Sequence, residues 1–146
     1  MSETVGKAVG DNMTQAIQPG MRGEYVEHVG PHVPLADFGP DVPRVLSSPW
    51  MLWCMEHAAR ACVAACLPPG HDTVGVGFDF RHLAPAPEGS TVTATAEVIA
   101  VEGREVTFAI EAHDGTELVG QGTHVRAVID VERFAKRVRR KVDGER

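Results

Sequence analysis

From Ser47 to Leu67 the chain reads SSPWMLWCMEHAARACVAACL, apolar at nearly every position. The run predicts one long helix. Ser48 stands as its N-cap, Pro49 as its first helical residue, and Pro68-Pro69-Gly70 as its end. A helix apolar on all sides belongs in a core, yet Glu56, His57 and Arg60 interrupt this one. Beyond it the period changes from helical to two. Val74, Val76, Phe78 and Phe80 alternate with Gly75, Gly77, Asp79 and Arg81, and His82 ends that strand. A second strand carries Val92, Ala94, Ala96, Val98 and Ala100 on one face, and Glu102-Gly103 turns it into a third through Val106, Phe108, Ile110 and Ala112. Asp114-Gly115 marks a hairpin into a fourth strand, Glu117 to Asp130, with Gly120 and Gly122 inside it. Val131 to Val142 predicts a short terminal helix, and Glu24 to Val29 a short first strand.

Two segments lack a period. Residues 1–20 are rich in Gly, Thr, Asn and Gln and are expected to form a flexible N-terminal tail, leaving 21–146 as a single domain. Residues 31–44, PHVPLADFGPDVPR, contain four prolines, which exclude regular structure across them. Their Val33, Leu35, Phe38 and Val42 suit either a lid over a pocket or a loop packed on the core. The expected class is α+β: a long helix against a meander of antiparallel strands. Small inward residues, Ala94, Ala96, Ala100 and Ala112, make room for the helix, and the glycines of the last strand let the sheet curl around it. One such sheet leaves an open edge, which a two-fold dimer would cover while creating a site between subunits.

Composition narrows the function. A formal net charge of −6 argues against a nucleic-acid binder. The N-terminus has no apolar stretch of signal-peptide type, and the charges in the long helix make a membrane span costly. The three cysteines, Cys54, Cys62 and Cys66, all lie on one helix, as reduced core residues of a cytoplasmic protein would. No metal-ligand spacing is present, and no Walker, dinucleotide, HExxH or GxSxG motif.

Candidate chemistry rests on five residues. Ser48, at the positive end of the helix, could attack a carbonyl or hold a water where an oxyanion would be stabilised; it could equally be a plain cap, and Ser47 is its neighbour and rival. Glu56 in an apolar setting would have a raised pKa suited to acid–base work, or would simply pair with Arg60 one turn on. His82 can relay protons near neutrality. Gly75 permits close ligand approach or only strand curvature. Arg126 could hold a carbonyl or phosphate, or pair with an acid. The basic run Lys136, Arg137, Arg139, Arg140, Lys141 is a solvated face or a lure for phosphates.

The segments SSPWMLWCMEHA, GVGFDFRHLAPAPEG, VTATAEVIAVEGREVTFAIEAHDG and GQGTHVRAVI together resemble the fluoroacetyl-CoA thioesterase family of the hotdog superfamily, from about Met21 to Lys141. The resemblance implies a hotdog fold and a homodimeric, cytoplasmic hydrolase of acyl-CoA thioesters. It implies no cofactor beyond the coenzyme A of the substrate, no metal, and no nucleic-acid or membrane partner. The family's catalytic hydroxyl, glutamate and histidine fall on Ser48, Glu56 and His82, and its substrate-binding glycine and arginine on Gly75 and Arg126. Two positions depart from it. The hydroxyl residue is serine rather than threonine, and the lid reads Phe38-Gly39-Pro40-Asp41-Val42, with one aromatic where the family's lid carries phenylalanines. The second departure points to a different, bulkier acyl group. The alternatives are a non-catalytic hotdog module binding an acyl thioester or small apolar ligand, and a dehydratase, whose usual Asp/His pair is not evident.

Overall fold

The computed structural model describes residues 13–144. Its sheet has five antiparallel strands in the order β1-β5-β6-β7-β4. They are β1 (Arg22–His28), β4 (His71–His82), β5 (Thr91–Glu102), β6 (Glu105–His113) and β7 (Leu118–Asp130). The long helix α1 (Ser48–Ala64) lies on the concave face and touches all five strands, so the sheet curls around it. The second helix, α2 (Val131–Val142), leaves directly from the end of β7.

The core is where the two periods meet. Met51, Cys54, Met55, Ala58, Ala59 and Val63 of α1 are buried against Val92, Ala94, Ala96 and Val98 of β5 and Phe108 and Ile110 of β6. Alanines on β5 keep the sheet surface low enough for helix backbone to approach. Gly120 serves the same end on β7: a Cβ there would stand 2.7 Å from the Met51 sulfur. The opposite face of α1, with Trp50, Trp53, His57 and Arg60, stays partly open in the single chain.

Several expectations from the sequence are corrected. The helix begins one residue earlier than the predicted Pro49 and ends three residues short of Leu67. Ser47 is the N-cap, Ser48 the first helical residue, and Ala65 the C-cap. The alternation is also not continuous. β-Bulges interrupt β4 between Gly75 and Gly77 and β5 between Val98 and Ala100. The second turns Ala100 out of the core, so it is exposed rather than inward. The proline-rich segment holds a two-residue ladder, β2 (Leu35–Ala36) with β3 (Val45–Leu46), in which Leu46 is fully buried. Within the expected tail, residues 1–12 lie outside the described part. Residues 13–20 pack on the sheet instead of hanging free. Met13 and Ile17 are buried, and the Gly20 N–H donates to the Val98 carbonyl.

At one margin of the sheet β4 has no neighbouring strand on its outer side among the described residues. Val76, at 53% exposure, and Phe78, at 41%, stand on that margin. A long edge strand with exposed apolar side chains is a template for pairing with another chain.

Candidate active site

The candidate side chains fall into two clusters. In the first, the Ser48 Oγ lies 2.6 Å from His82 Nδ1. Ser48 opens α1, where the helix dipole is positive and Pro49 has already removed one N–H, so the remaining early amides are available to an oxygen ligand. His82 closes β4, opposite Gly120 of β7. A hydroxyl touching an imidazole at a helix N-terminus can surrender its proton to Nδ1 and attack a carbonyl, or hold a water that does so. Ser47 does not share this role. It caps the helix through its backbone alone, forgoing about 1 kcal/mol that a side-chain cap supplies. Its Oγ is buried without a partner.

The second cluster lies further along α1. Glu56 Oε2 accepts from Arg126 Nη1 at 3.0 Å. Arg126 is 3% exposed, and three more of its N–H donors are committed. Nε donates to Thr73 Oγ1 at 2.7 Å, Nη2 to the Thr73 carbonyl at 2.8 Å, and Nη1 reaches His124 Nε2 at 3.2 Å. A guanidinium has five N–H groups, so one at Nη2 remains for a ligand. His124 Nδ1 is 2.9 Å from the Gly77 carbonyl. A carbonyl only accepts and a guanidinium only donates. His124 is therefore neutral, with its proton on Nδ1 and a lone pair on Nε2 toward Arg126. Burial holds its pKa below the ordinary histidine value, the Arg126 cation adds to that, and the bond to Gly77 works against it. A cavity of about 310 Å³ opens beside these groups, lined by Glu56, His57, Arg60, Thr73, Gly75 and Arg126 among others.

Gly75 leaves room for the protein's own carboxylate: a Cβ there would sit 2.5 Å from Glu56 Oε2 and press on that side chain. The bulge at Val76 also matters. Gly75 and His82 are an odd number of residues apart and would face opposite sides of a regular strand. One unpaired residue between Gly75 and Gly77 restores the parity, so both point to the concave side, as do their partners Arg126 and Gly120.

The helix-face pair of Glu56 with Arg60 does not form. Arg60 reaches Asp72 instead, through Nε to Oδ1 at 3.1 Å and Nη2 to Oδ2 at 2.6 Å. That bond holds the Asp72 carboxyl below its ordinary pKa. The apolar setting expected for Glu56 is likewise absent: its side chain is 37% exposed and faces a guanidinium. Thr73 and His124 were not singled out in the sequence. His124 stands two residues from Arg126 and so shares its face, a signal that strand periodicity could have supplied. Cys54, Cys62 and Cys66 are free, and burial pushes the Cys54 thiol up to about 12, so it is a packing residue and not a nucleophile.

Within one protomer the two clusters stay apart. Eight residues of α1 separate Ser48 from Glu56, about 12 Å of helix. Seven residues of β4 separate Gly75 from His82, about 23 Å at full extension. No hydrogen bond joins them among the described residues.

Comparison with known proteins agrees with this architecture. The sequence model of the fluoroacetyl-CoA-specific thioesterase family matches residues 32–132. The fluoroacetyl-CoA thioesterase of Streptantibioticus cattleyicolor is 41% identical over 117 residues, 80% of this chain and 81% of that protein. A crystal structure of the fluoroacetyl-CoA thioesterase superposes with a TM-score of 0.78 at 36% identity, covering 86% of this chain and 97% of the other. A thioesterase superfamily member from Thermus thermophilus superposes at 0.75 with 27% identity, covering 88% and 98%. With most of its length matched in sequence and its sheet curled around one long helix, the chain belongs to the fluoroacetyl-CoA-specific thioesterase family, on a hotdog fold.

Proposed function

We propose that this protein is a homodimeric thioesterase that hydrolyses a small acyl-CoA to the free acid and coenzyme A, with Ser48, Glu56 and His82 as its catalytic groups. The observation that carries the reading is the 2.6 Å contact between the Ser48 hydroxyl and His82 Nδ1 at the N-terminus of α1. The family to which the chain belongs supports the substrate class.

The open edge of β4 supports the dimer. A two-fold axis at Phe78 would pair two β4 strands antiparallel, apposing the exposed Phe78 rings and keeping the two Asp79 carboxylates off the axis. With Val76 skipped, as it is against β7, this register sets His82 of the partner subunit opposite Thr73, one pleat from Gly75. The dyad of one protomer then meets the Glu56 cavity of the other, and the distance inside each protomer ceases to matter.

In that composite site the thioester carbonyl oxygen would sit against the amides at the start of α1. His82 takes the proton from Ser48, or from a water that Ser48 holds, as the new C–O bond forms. It returns the proton to the leaving sulfur, so that coenzyme A departs as the thiol. On the serine route a water then attacks the acyl-serine, its proton passing to Glu56, which Arg126 fixes. The bond to Ser48 breaks with a proton returned to its oxygen as the free acid leaves. Gly75 and the remaining Arg126 N–H border the acyl group. The three unpaired thiols support a reducing, cytosolic location. No helix among the described residues is long and apolar enough to cross a membrane.

The test is release of coenzyme A from a panel of acyl-CoAs, followed with a thiol reagent. Turnover of at least one short acyl-CoA is expected. His82→Ala should lower its rate about 10²-fold or more, since it removes the acid–base group. A burst of one thiol per site marks the acyl-serine route. Tight acyl-CoA binding in calorimetry with no hydrolysis of any panel member would instead support a binding module.

A further inference from the structure

We propose that α2 and the turn between β5 and β6 form the binding site for the nucleotide end of coenzyme A; this rests on the acyl-CoA reading above. Six of the twelve residues of α2 are basic, one is acidic and none is buried, in a protein whose formal charge is −6. A cavity of about 510 Å³ lies between this helix and the turn, with Arg104, Arg133, Lys136, Arg137 and Arg140 on its wall and the ring of Phe134 beside them. Lys136 is spoken for by Glu132 at 3.5 Å. Among the described residues no carboxylate lies within ion-pair distance of the other four guanidinium groups. Asp130, the one carboxylate on the cavity wall, is turned to the backbone N–H of Arg133 at 3.1 Å as the helix cap.

The occupant is argued from charge, shape and place. Guanidinium groups bind phosphates in pairs of parallel hydrogen bonds, and an exposed aromatic ring among cations offers a stacking surface to a purine. The end of coenzyme A carrying a 3′-phosphate, a diphosphate and adenine meets both requirements. The place fits as well. Asp130, which opens α2, is four residues of strand from Arg126, about 13 Å. An extended pantetheine arm covers that distance between thioester and diphosphate.

The test compares acyl-CoA with the same acyl group on pantetheine, which lacks the nucleotide, for the wild type and for Arg137→Glu/Arg140→Glu. Reversing two phosphate contacts should cut the ratio of kcat/KM between the two substrates about tenfold or more, through KM. That preference should also shrink as salt is raised. Calorimetry with adenosine 3′,5′-bisphosphate gives a readout independent of hydrolysis: the wild type binds it and the variant, with an unchanged melting temperature, does not. Nucleotide binding without any hydrolysis would overturn the thioesterase and leave this site standing. An unchanged substrate ratio in a folded variant would overturn the site and leave the thioesterase standing. Equal nucleotide binding by both proteins, or binding of α2 to anionic lipid vesicles with the substrate ratio unaltered, would also overturn it.

Discussion

At the scale of single residues, the account turns on which charged groups find each other. The sequence offers Glu56 a partner one helical turn away in Arg60, and local spacing favours it. The folded chain gives Glu56 to Arg126, seventy residues distant, and Arg60 to Asp72. Such pairings depend on strand register, which a linear pattern does not contain. Ser48 and His82 could each be nominated from local context, a helix start and a strand end, but their contact is tertiary. The neutral state of His124 has a measurable consequence. Its folded pKa is depressed, as is that of His57, chiefly by burial in both cases. Both histidines therefore take up protons less readily in the fold than in the unfolded chain, where histidine titrates near 6.5. Their contribution to stability is complete above about pH 6.5 and is lost as the pH falls below it. Asp72 is also depressed, but from a carboxylate value, so its contribution fades only in more acid solution. Urea denaturation at pH 7.5 and 5.5 should show the protein less stable at 5.5, with a smaller loss for His124→Gln. Equal losses in the two proteins would contradict the assignment of His124.

Secondary-structure elements were the most legible level. The all-round apolar helix, the hairpin at Asp114-Gly115 and the terminal helix over Val131–Val142 follow from periodicity and turn chemistry, and the structure has each of them. Strict alternation failed at three irregularities: the bulges of β4 and β5, and a register shift between β6 and β7 that leaves Val119 unpaired and buried beside Gly120. A bulge residue such as Val76 is a good strand former, and nothing in its identity marks it as unpaired. Yet that residue lets Gly75 and His82 share a face. Deleting Val76 should leave a folded protein with near-normal circular dichroism, because the ladder with β7 can close across the gap. It should retain thioester hydrolysis, because Gly75 and His82 then lie six residues apart on a regular strand and still share the concave face. A folded deletion variant without turnover would show that the bulge does more than set this parity. Capping was legible only to within a residue, since Ser47 and Ser48 are chemically identical candidates. Packing against Pro34, whose carbonyl accepts from the Ser47 N–H, settles the frame.

At the scale of the whole molecule, the proposed site residues of one chain fall into two groups at opposite ends of its edge strand. In the dimer we propose, two-fold pairing of β4 strands would turn that separation into a requirement: every complete site would take Ser48 and His82 from one subunit and Glu56, Gly75 and Arg126 from the other. Subunit mixing tests this directly. Ser48→Ala and Glu56→Gln homodimers should each be nearly inactive. Unfolded together and refolded as an equal mixture, they should recover about a quarter of wild-type activity, because half the dimers are mixed and each mixed dimer holds one intact site and one doubly damaged site. A site contained within one subunit would leave no intact copy in the mixed dimer. A refolded mixture of dimers as inactive as its parents would therefore contradict the account.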